Sequence, residues 1–489
     1  MTTPFDPEAF RRALHRAADV VADYLETVGD RPVLPNVEPG DLLSQLPAEA
    51  PEDAESFDAL IDDFQRLVVP GVTHWNHPGF LAYFSSNGSE PGILGELLAA
   101  GLSVNAMLWH TSPAATELEI RACDWLRRLL GLPDAFQGHV NDTASVSTFL
   151  ALAAARDTAT DRDIRHEGLS GGPHLVVYCS DQTHSSIDKA VVALGLGLHQ
   201  LRKIETDDEF RMRPDRLLAA LTDDRAAGRL PIAVVASVGT TSTTSVDPVA
   251  EIADLCDREK VWLHVDAAWA GSAAVCPEER SLFAGWERGD SIVVNPHKWM
   301  ATPMDCSVLF VRDPDLLRAA FSLVPEYLET REDAHPAKID LMDLGVQLGR
   351  RFRALKLWFV MRAFGAAGLR EKIRRHLRWG RRLAQRVDDH PDFELAAPAP
   401  WSVVCLRALL PDEPPAREDE FNRRVLEAVN RRGDVFLSHT KLQQRYVIRV
   451  AVSNLRTEED RVDLAWQQIR EEAERLRTDS DWNRPNEGS

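Results

Sequence analysis

The sequence predicts an α/β fold on a mostly parallel central sheet, with a helical arm before it and a smaller α+β domain after it. Three observations carry this prediction. From about residue 140, short β-branched runs alternate with helical windows, the pattern of strands covered by helices on both faces. The last 120 or so residues mix helical stretches with strand-like runs. The first thirty or so hold an amphipathic helix with no nearby element to cover it.

Taken in order, residues 8–28 place Phe10, Leu14, Ala17, Val21, Leu25 and Val28 at i, i+3/i+4 spacing and stop at Gly29. That stripe needs a surface from elsewhere, and a second subunit is the expected one. Strands are predicted at His174–Cys179, Pro231–Val238, Val261–Val265, Ser291–Val294 and Ser307–Val311, with helices at Pro214–Ala227 and Pro248–Lys260 between them. A long helix is predicted through Phe352–Phe364, then strands at Trp401–Leu406 and Tyr446–Val452. The expected division is an arm over 1–88, a large domain over 89–364 and a small domain over 365–489, whose polar tail after Thr478 is expected to be loose.

Bulk chemistry excludes several classes. The 489 residues are 44% hydrophobic and 27% charged, an ordinary globular composition. A net charge of -20 argues against nucleic acid and anionic membrane as partners. No run approaches a membrane span, and the first residues lack the basic-then-apolar pattern of a leader. Six scattered cysteines without a C-x-x-C pair predict reduced thiols in a cytoplasmic protein. His74-Trp75-Asn76-His77 has no accompanying carboxylate or thiol cluster, so no metal is expected.

Chemistry gathers at strand ends. Asn295-Pro296-His297-Lys298-Trp299 follows an apolar strand, and ligand sites in open α/β sheets lie at the carboxyl ends of strands. Partial burial there favours the neutral amine that attacks an aldehyde. Asp266 ends a second strand, where a buried carboxylate needs a cation, and a protonated pyridine nitrogen is one. The small Ala267 and Ala268 after it would admit a flat ring. Asp142-Thr143-Ala144-Ser145 opens an alanine-rich helix, so a capped helix start and an anion seat are both predicted. His184 follows a third strand and could stack on a ring or move protons.

Together these segments resemble the PLP-dependent group II decarboxylases, and within them the aromatic-L-amino-acid decarboxylases. The resemblance runs from about Pro70 to Glu471. It rests on T-H-W-N-H-P-G-F-L-A-Y-F (73–84), T-S-P-A-A-T-E-L-E (111–119), D-Q-T-H-S-S (181–186), H-V-D-A-A-W-A-G-S-A (264–273), N-P-H-K-W (295–299), L-G-R-R-F-R-A-L-K-L-W-F (348–359) and H-T-K-L-Q-Q-R-Y-V (439–447). It implies PLP fold type I (aspartate aminotransferase-like), pyridoxal 5'-phosphate as cofactor, an amino-acid substrate, and a homodimer with the active site between subunits. It further implies a carboxy-lyase that decarboxylates an L-amino acid.

Carried over position by position, Lys298 would hold the cofactor as a Schiff base, Asp266 would pair with the pyridinium and His184 would stack on the ring. Ala268 would lie near the other face, and Ala144, Ser145 and Asn295 would hold the phosphate. His297 would stand beside the lysine, with Thr241 near ring and substrate. Trp75, Tyr83, Phe84 and Ser86 match the family's substrate-pocket stretch, and Gly349 matches a position that favours bulky aromatic substrates.

Two departures stand out. Counting back without gaps from Leu348-Gly349-Arg350-Arg351, Leu341 stands where a mobile loop of the family supplies a protonating tyrosine, and Leu344 where a tryptophan is common. Relatives without that tyrosine can let the intermediate react with oxygen, giving an aldehyde, ammonia and hydrogen peroxide. This oxidative outcome is therefore an alternative to plain decarboxylation, and a silent PLP-binding protein is a third reading. Glu90, acidic within the pocket stretch, leaves the side-chain preference open.

Overall fold

In the computed structural model, residues 6–323, 338–411 and 413–479 are described. Most of the polar tail predicted beyond Thr478 lies outside them.

The central sheet has seven strands: β1 (Gln137–Asn141), β2 (Leu175–Ser180), β3 (Leu201–Ile204), β4 (Leu230–Ser237), β5 (Trp262–Asp266), β6 (Ser291–Val294) and β7 (Ser307–Val311). They lie in the order β1-β7-β6-β5-β4-β2-β3, with β7 antiparallel to both its neighbours and the other pairs parallel. β2, β5, β6 and β7 are buried along their whole length, which is why they read as unbroken apolar runs. Helices such as Ala144–Thr158 and Val249–Glu259 pack on the two faces.

A four-stranded antiparallel sheet of β8 (Phe393–Leu395), β9 (Val403–Ala408), β10 (Ser438–Leu442) and β11 (Arg445–Ala451) follows, ordered β10-β11-β9-β8. The helical run Ala354–Asp388 links the two sheets as two helices joined at a kink, the first ending at the predicted Phe364. Gly365, at φ 61° and ψ 171°, breaks it there, a conformation that glycine reaches without a Cβ clash.

The first helix spans Pro7–Thr27, capped by the Asp6 carboxylate on the N–H groups of Glu8 and Ala9. None of its residues is buried, and Phe10, Leu14 and Val21 are exposed. All six cysteines are buried and unpaired. Among the described residues no helix is long and apolar enough to cross a membrane, and no cluster of His, Cys, Asp and Glu could hold a metal.

Candidate active site

β4, β5 and β6 run parallel, with Ser237 opposite Asp266 and Asp266 opposite Val293, so their carboxyl ends meet at one edge. The first polar residues past these strands are therefore delivered together. A cavity of about 200 Å³ opens there, and Lys298, Asp266 and His184 all line it.

Lys298 sits in the four-residue turn Pro296–Trp299. Burial pushes its pKa below the usual lysine value; the Asp266 charge opposes this, and Arg449 adds to it. Asp266 is 9% exposed, and its Oδ1 accepts the Ala268 N–H at 3.1 Å. Among the described residues it makes no ion pair, so a buried carboxylate waits for a cation, as the protonated ring nitrogen of pyridoxal phosphate would be.

His184 accepts the Ser186 N–H on Nδ1 at 3.0 Å, which places the proton of the neutral ring on Nε2. Burial lowers its pKa; Asp266 counters this and Lys298 reinforces it, so the ring is neutral at pH 7. His297 is buried beside the lysine, its Nδ1 taking the Cys306 N–H at 3.0 Å, and burial brings its pKa down to about 3. Its Nε2 therefore carries the hydrogen and faces the Asn295 amide at 3.3 Å, whose Oδ1 has no partner as placed. We assign the amide with Oδ1 toward His297, which satisfies both groups and turns the Asn295 NH2 away from the histidine.

Ala144 and Ser145 line the opposite wall as the first residues of the helix Ala144–Thr158. The predicted hydroxyl cap is absent: the Thr143 side chain makes no capping bond, and only its carbonyl takes the N–H groups of Val146 and Ser147. The N–H groups of Ala144 and Ser145 are left as a seat for an anion such as a phosphate. Thr241 stands exposed on the rim and Ala268 is buried in the wall. The set of a buried amine, an unpaired carboxylate and a helix-start anion seat fits pyridoxal phosphate.

Phe84 and Ser86 also line this cavity. Phe84 stacks on Trp269 at 4.6 Å, with the Lys298 amine 5.2 Å from its ring centre. Trp75, Tyr83 and Gly349 are not brought to it. Tyr83 has a φ of 49°, and this turn leaves its own ring 54% exposed while Phe84 lines the cavity. Trp75 stacks on Phe80 at 4.4 Å and on Tyr83 at 6.2 Å, outside the cavity, and Gly349 is exposed. Glu90 pairs with Arg456 at 2.6 Å and does not line the cavity.

Leu341 and Leu344 lie in a short 3-10 turn, each 2% exposed, inside the apolar cluster of Leu150, Leu309 and Leu317. Position 341 is a core position, so the absence of a phenol there does not decide the product. Leu341→Tyr is expected to overpack this cluster and cost about 1–3 kcal/mol by denaturant titration, with the ratio of amine to peroxide unchanged.

One residue escaped the sequence reading. Arg449, inside the buried strand β11, is 4% exposed, and its guanidinium lies 4.6 Å from the Phe84 ring centre. It donates to the carbonyls of Ser242 (3.0 Å) and Tyr83 (2.6 Å), while Nη2 has no partner. A charged residue within Val447-Ile448-Arg449-Val450 was the available signal.

Residues 39–409 match the pyridoxal-dependent decarboxylase conserved domain. The chain is 41% identical to phenylacetaldehyde synthase of Arabidopsis thaliana, over 97% of each chain. It is 39% identical to tryptophan decarboxylase 2 of Oryza sativa subsp. japonica, over 97% of this chain and 96% of that one. The crystal structure of Oryza sativa TDC with PLP and tryptamine superposes with a TM-score of 0.93 at 38% identity, covering 97% of this chain and 100% of that one. A lysine past a strand end, sharing a cavity with a carboxylate that makes no ion pair among the described residues, in a chain matched over 97% of its length by such relatives, identifies a member of the pyridoxal-dependent decarboxylases, with pyridoxal 5'-phosphate as its cofactor.

Proposed function

We propose that this enzyme decarboxylates an aromatic L-amino acid to the corresponding amine, with Lys298 as the cofactor lysine. The observation that carries it is the partly buried Lys298 in one cavity with Asp266, which makes no ion pair among the described residues. When bound, pyridoxal phosphate supplies a ring that takes up the electron pair left at Cα as CO2 departs. Asp266 would keep the ring nitrogen protonated, Ala144, Ser145 and Asn295 would hold the phosphate, and Ala268 and Thr241 would border the ring. His297 holds Asn295 beside the lysine. His184, neutral with hydrogen on Nε2, would stack on the ring and hold a proton at its Nε2. Arg449 supports the aromatic wall at Phe84.

The arm, large and small domains divide near residues 88 and 364. The exposed stripe of the first helix, with Trp75, Tyr83 and Gly349 outside the single-chain cavity, supports a homodimer whose partner completes the substrate pocket. Six buried thiols without a disulfide support a cytoplasmic location.

A second reading, oxidation to aldehyde, ammonia and hydrogen peroxide, is favoured by the likeness to phenylacetaldehyde synthase. In that case the amino acid, O2 and water give aldehyde, CO2, ammonia and H2O2. With position 341 closed in the core, Tyr327 is the tyrosine that stands ahead of the Leu348-Gly349-Arg350-Arg351 string; it lies outside the described residues. Incubation with phenylalanine, tyrosine, tryptophan and their hydroxylated relatives separates the readings. We expect CO2 and amine in equal amounts without peroxide, and Tyr327→Phe to shift the product toward peroxide and aldehyde. Stoichiometric peroxide from the unaltered enzyme would establish the second reading, and no CO2 from any substrate would overturn both.

A further inference from the structure

We propose that Lys372 is a positioning residue for Lys298, acting through the main-chain carbonyl of Trp299. The proposal rests on the reading of Lys298 as the cofactor lysine.

Lys372 and His376 lie one turn apart on the helix Ala354–Asp388 and so share a face. Both reach Trp299, the residue after Lys298. The Lys372 amine donates to the Trp299 carbonyl at 3.0 Å, and the Trp299 indole N–H donates to His376 Nδ1 at 2.9 Å. All three side chains are buried, at 3%, 1% and 0% exposure. One helix face thus takes both polar ends of the tryptophan.

The turn Pro296–Trp299 is four residues long and cannot hold its own shape. The Lys372 amine satisfies the carbonyl at its end, which has no other hydrogen-bond partner among the described residues. The Trp299 ring lies parallel to Trp269 at 4.2 Å and 4°, and Trp269 stacks on Phe84 over the Lys298 amine. A shift of Trp299 would move the lysine backbone and the aromatic wall together.

A plain structural filler is a poor explanation for a lysine here. Among the described residues no carboxylate pairs with it. Burial, with the Arg375 charge adding to it, brings its pKa down to about 7. A leucine would fill the space without that cost.

The test compares Lys372→Met and Lys372→Arg with the unaltered protein. The first reading is made on cofactor-free protein: near-UV circular dichroism of the stacked Trp269–Trp299 pair. The second is the rate, as a function of pH, at which added pyridoxal phosphate restores the visible band. The third is kcat and KM for the best amino acid found. For Lys372→Met we expect a weaker tryptophan signal, uptake about tenfold slower with a shifted pH midpoint, and kcat about tenfold lower at similar KM, as for one lost buried hydrogen bond. Lys372→Arg should recover these to within about threefold, because it restores the donor. Unchanged dichroism and uptake in Lys372→Met would overturn the proposal, as would losses that arginine does not recover. If the methionine variant does not fold, Lys372→Gln, a shorter donor, takes its place with the same deciding outcomes. Lys298→Ala is run beside them: a visible band that survives there refutes the cofactor lysine, while the tryptophan signal still decides the role of Lys372.

Discussion

Lys298→Ala abolishes the visible cofactor band and lowers turnover by at least about a thousandfold, the scale seen when a covalent nucleophile is removed. The reason is local. Among the described residues the Lys298 amine makes no hydrogen bond; it faces the Phe84 ring, and burial biases it toward the neutral, reactive form. Alanine removes the amine and leaves the anion seat at Ala144 and Ser145 intact, so pyridoxal phosphate is expected to bind weakly and reversibly. Because no buried partner is orphaned, the melting temperature of the cofactor-free variant should stay within about 3 °C of the unaltered protein. Absorbance after gel filtration and a thermal scan check both parts, and a retained band would remove Lys298 from the mechanism.

Asp266→Asn is the second large effect. The amide keeps the shape and can still accept the Ala268 N–H, but it carries no charge for the ring nitrogen. Breaking a buried charge pair from one side costs about 3–5 kcal/mol, so kcat is expected to fall by about two to four orders of magnitude, with the cofactor still bound. A second consequence concerns pH. The Asp266 charge raises the pKa of both Lys298 and His184, so its loss moves both further down. The pH midpoint for cofactor uptake should move lower than in the unaltered protein. An asparagine variant with full turnover, or a midpoint that moves upward, would contradict the pairing.

The parts of this fold legible in the sequence are the ones buried on both faces. Ser291–Val294 and Ser307–Val311 match β6 and β7 residue for residue, because interior strands carry little but apolar side chains. The four strands that the pattern missed, β1 and β3 in the central sheet and β8 and β10 in the small one, are the edges of the two sheets. In the central sheet Gln137 and Gly138 are partly exposed, Arg202 is half-buried and Lys203 exposed, and His139 is buried against Glu119 at 3.4 Å, so polar residues hide the strand. At the site, Lys298, Asp266 and His184 were legible because each follows an apolar strand, and strand ends converge. Leu341 was not, because a count along the chain cannot tell which way a 3-10 turn faces. Tyr83 and Phe84 differ for the same reason: adjacent in sequence, they separate at a positive φ.

The six buried cysteines bear on how the protein meets oxidants. Burial pushes Cys179, Cys276 and Cys405 up to about 11 and Cys306 to about 12, and raises Cys123 and Cys256 as well. A thiol at 11 is ionised in only about one molecule in ten thousand at pH 7, and the thiolate is the form that peroxide attacks. Sulfenylation and mixed-disulfide formation are thus disfavoured at these cysteines while the fold is intact. Such a chain is expected to keep its free-thiol count by Ellman titration after storage in air or exposure to micromolar peroxide while folded.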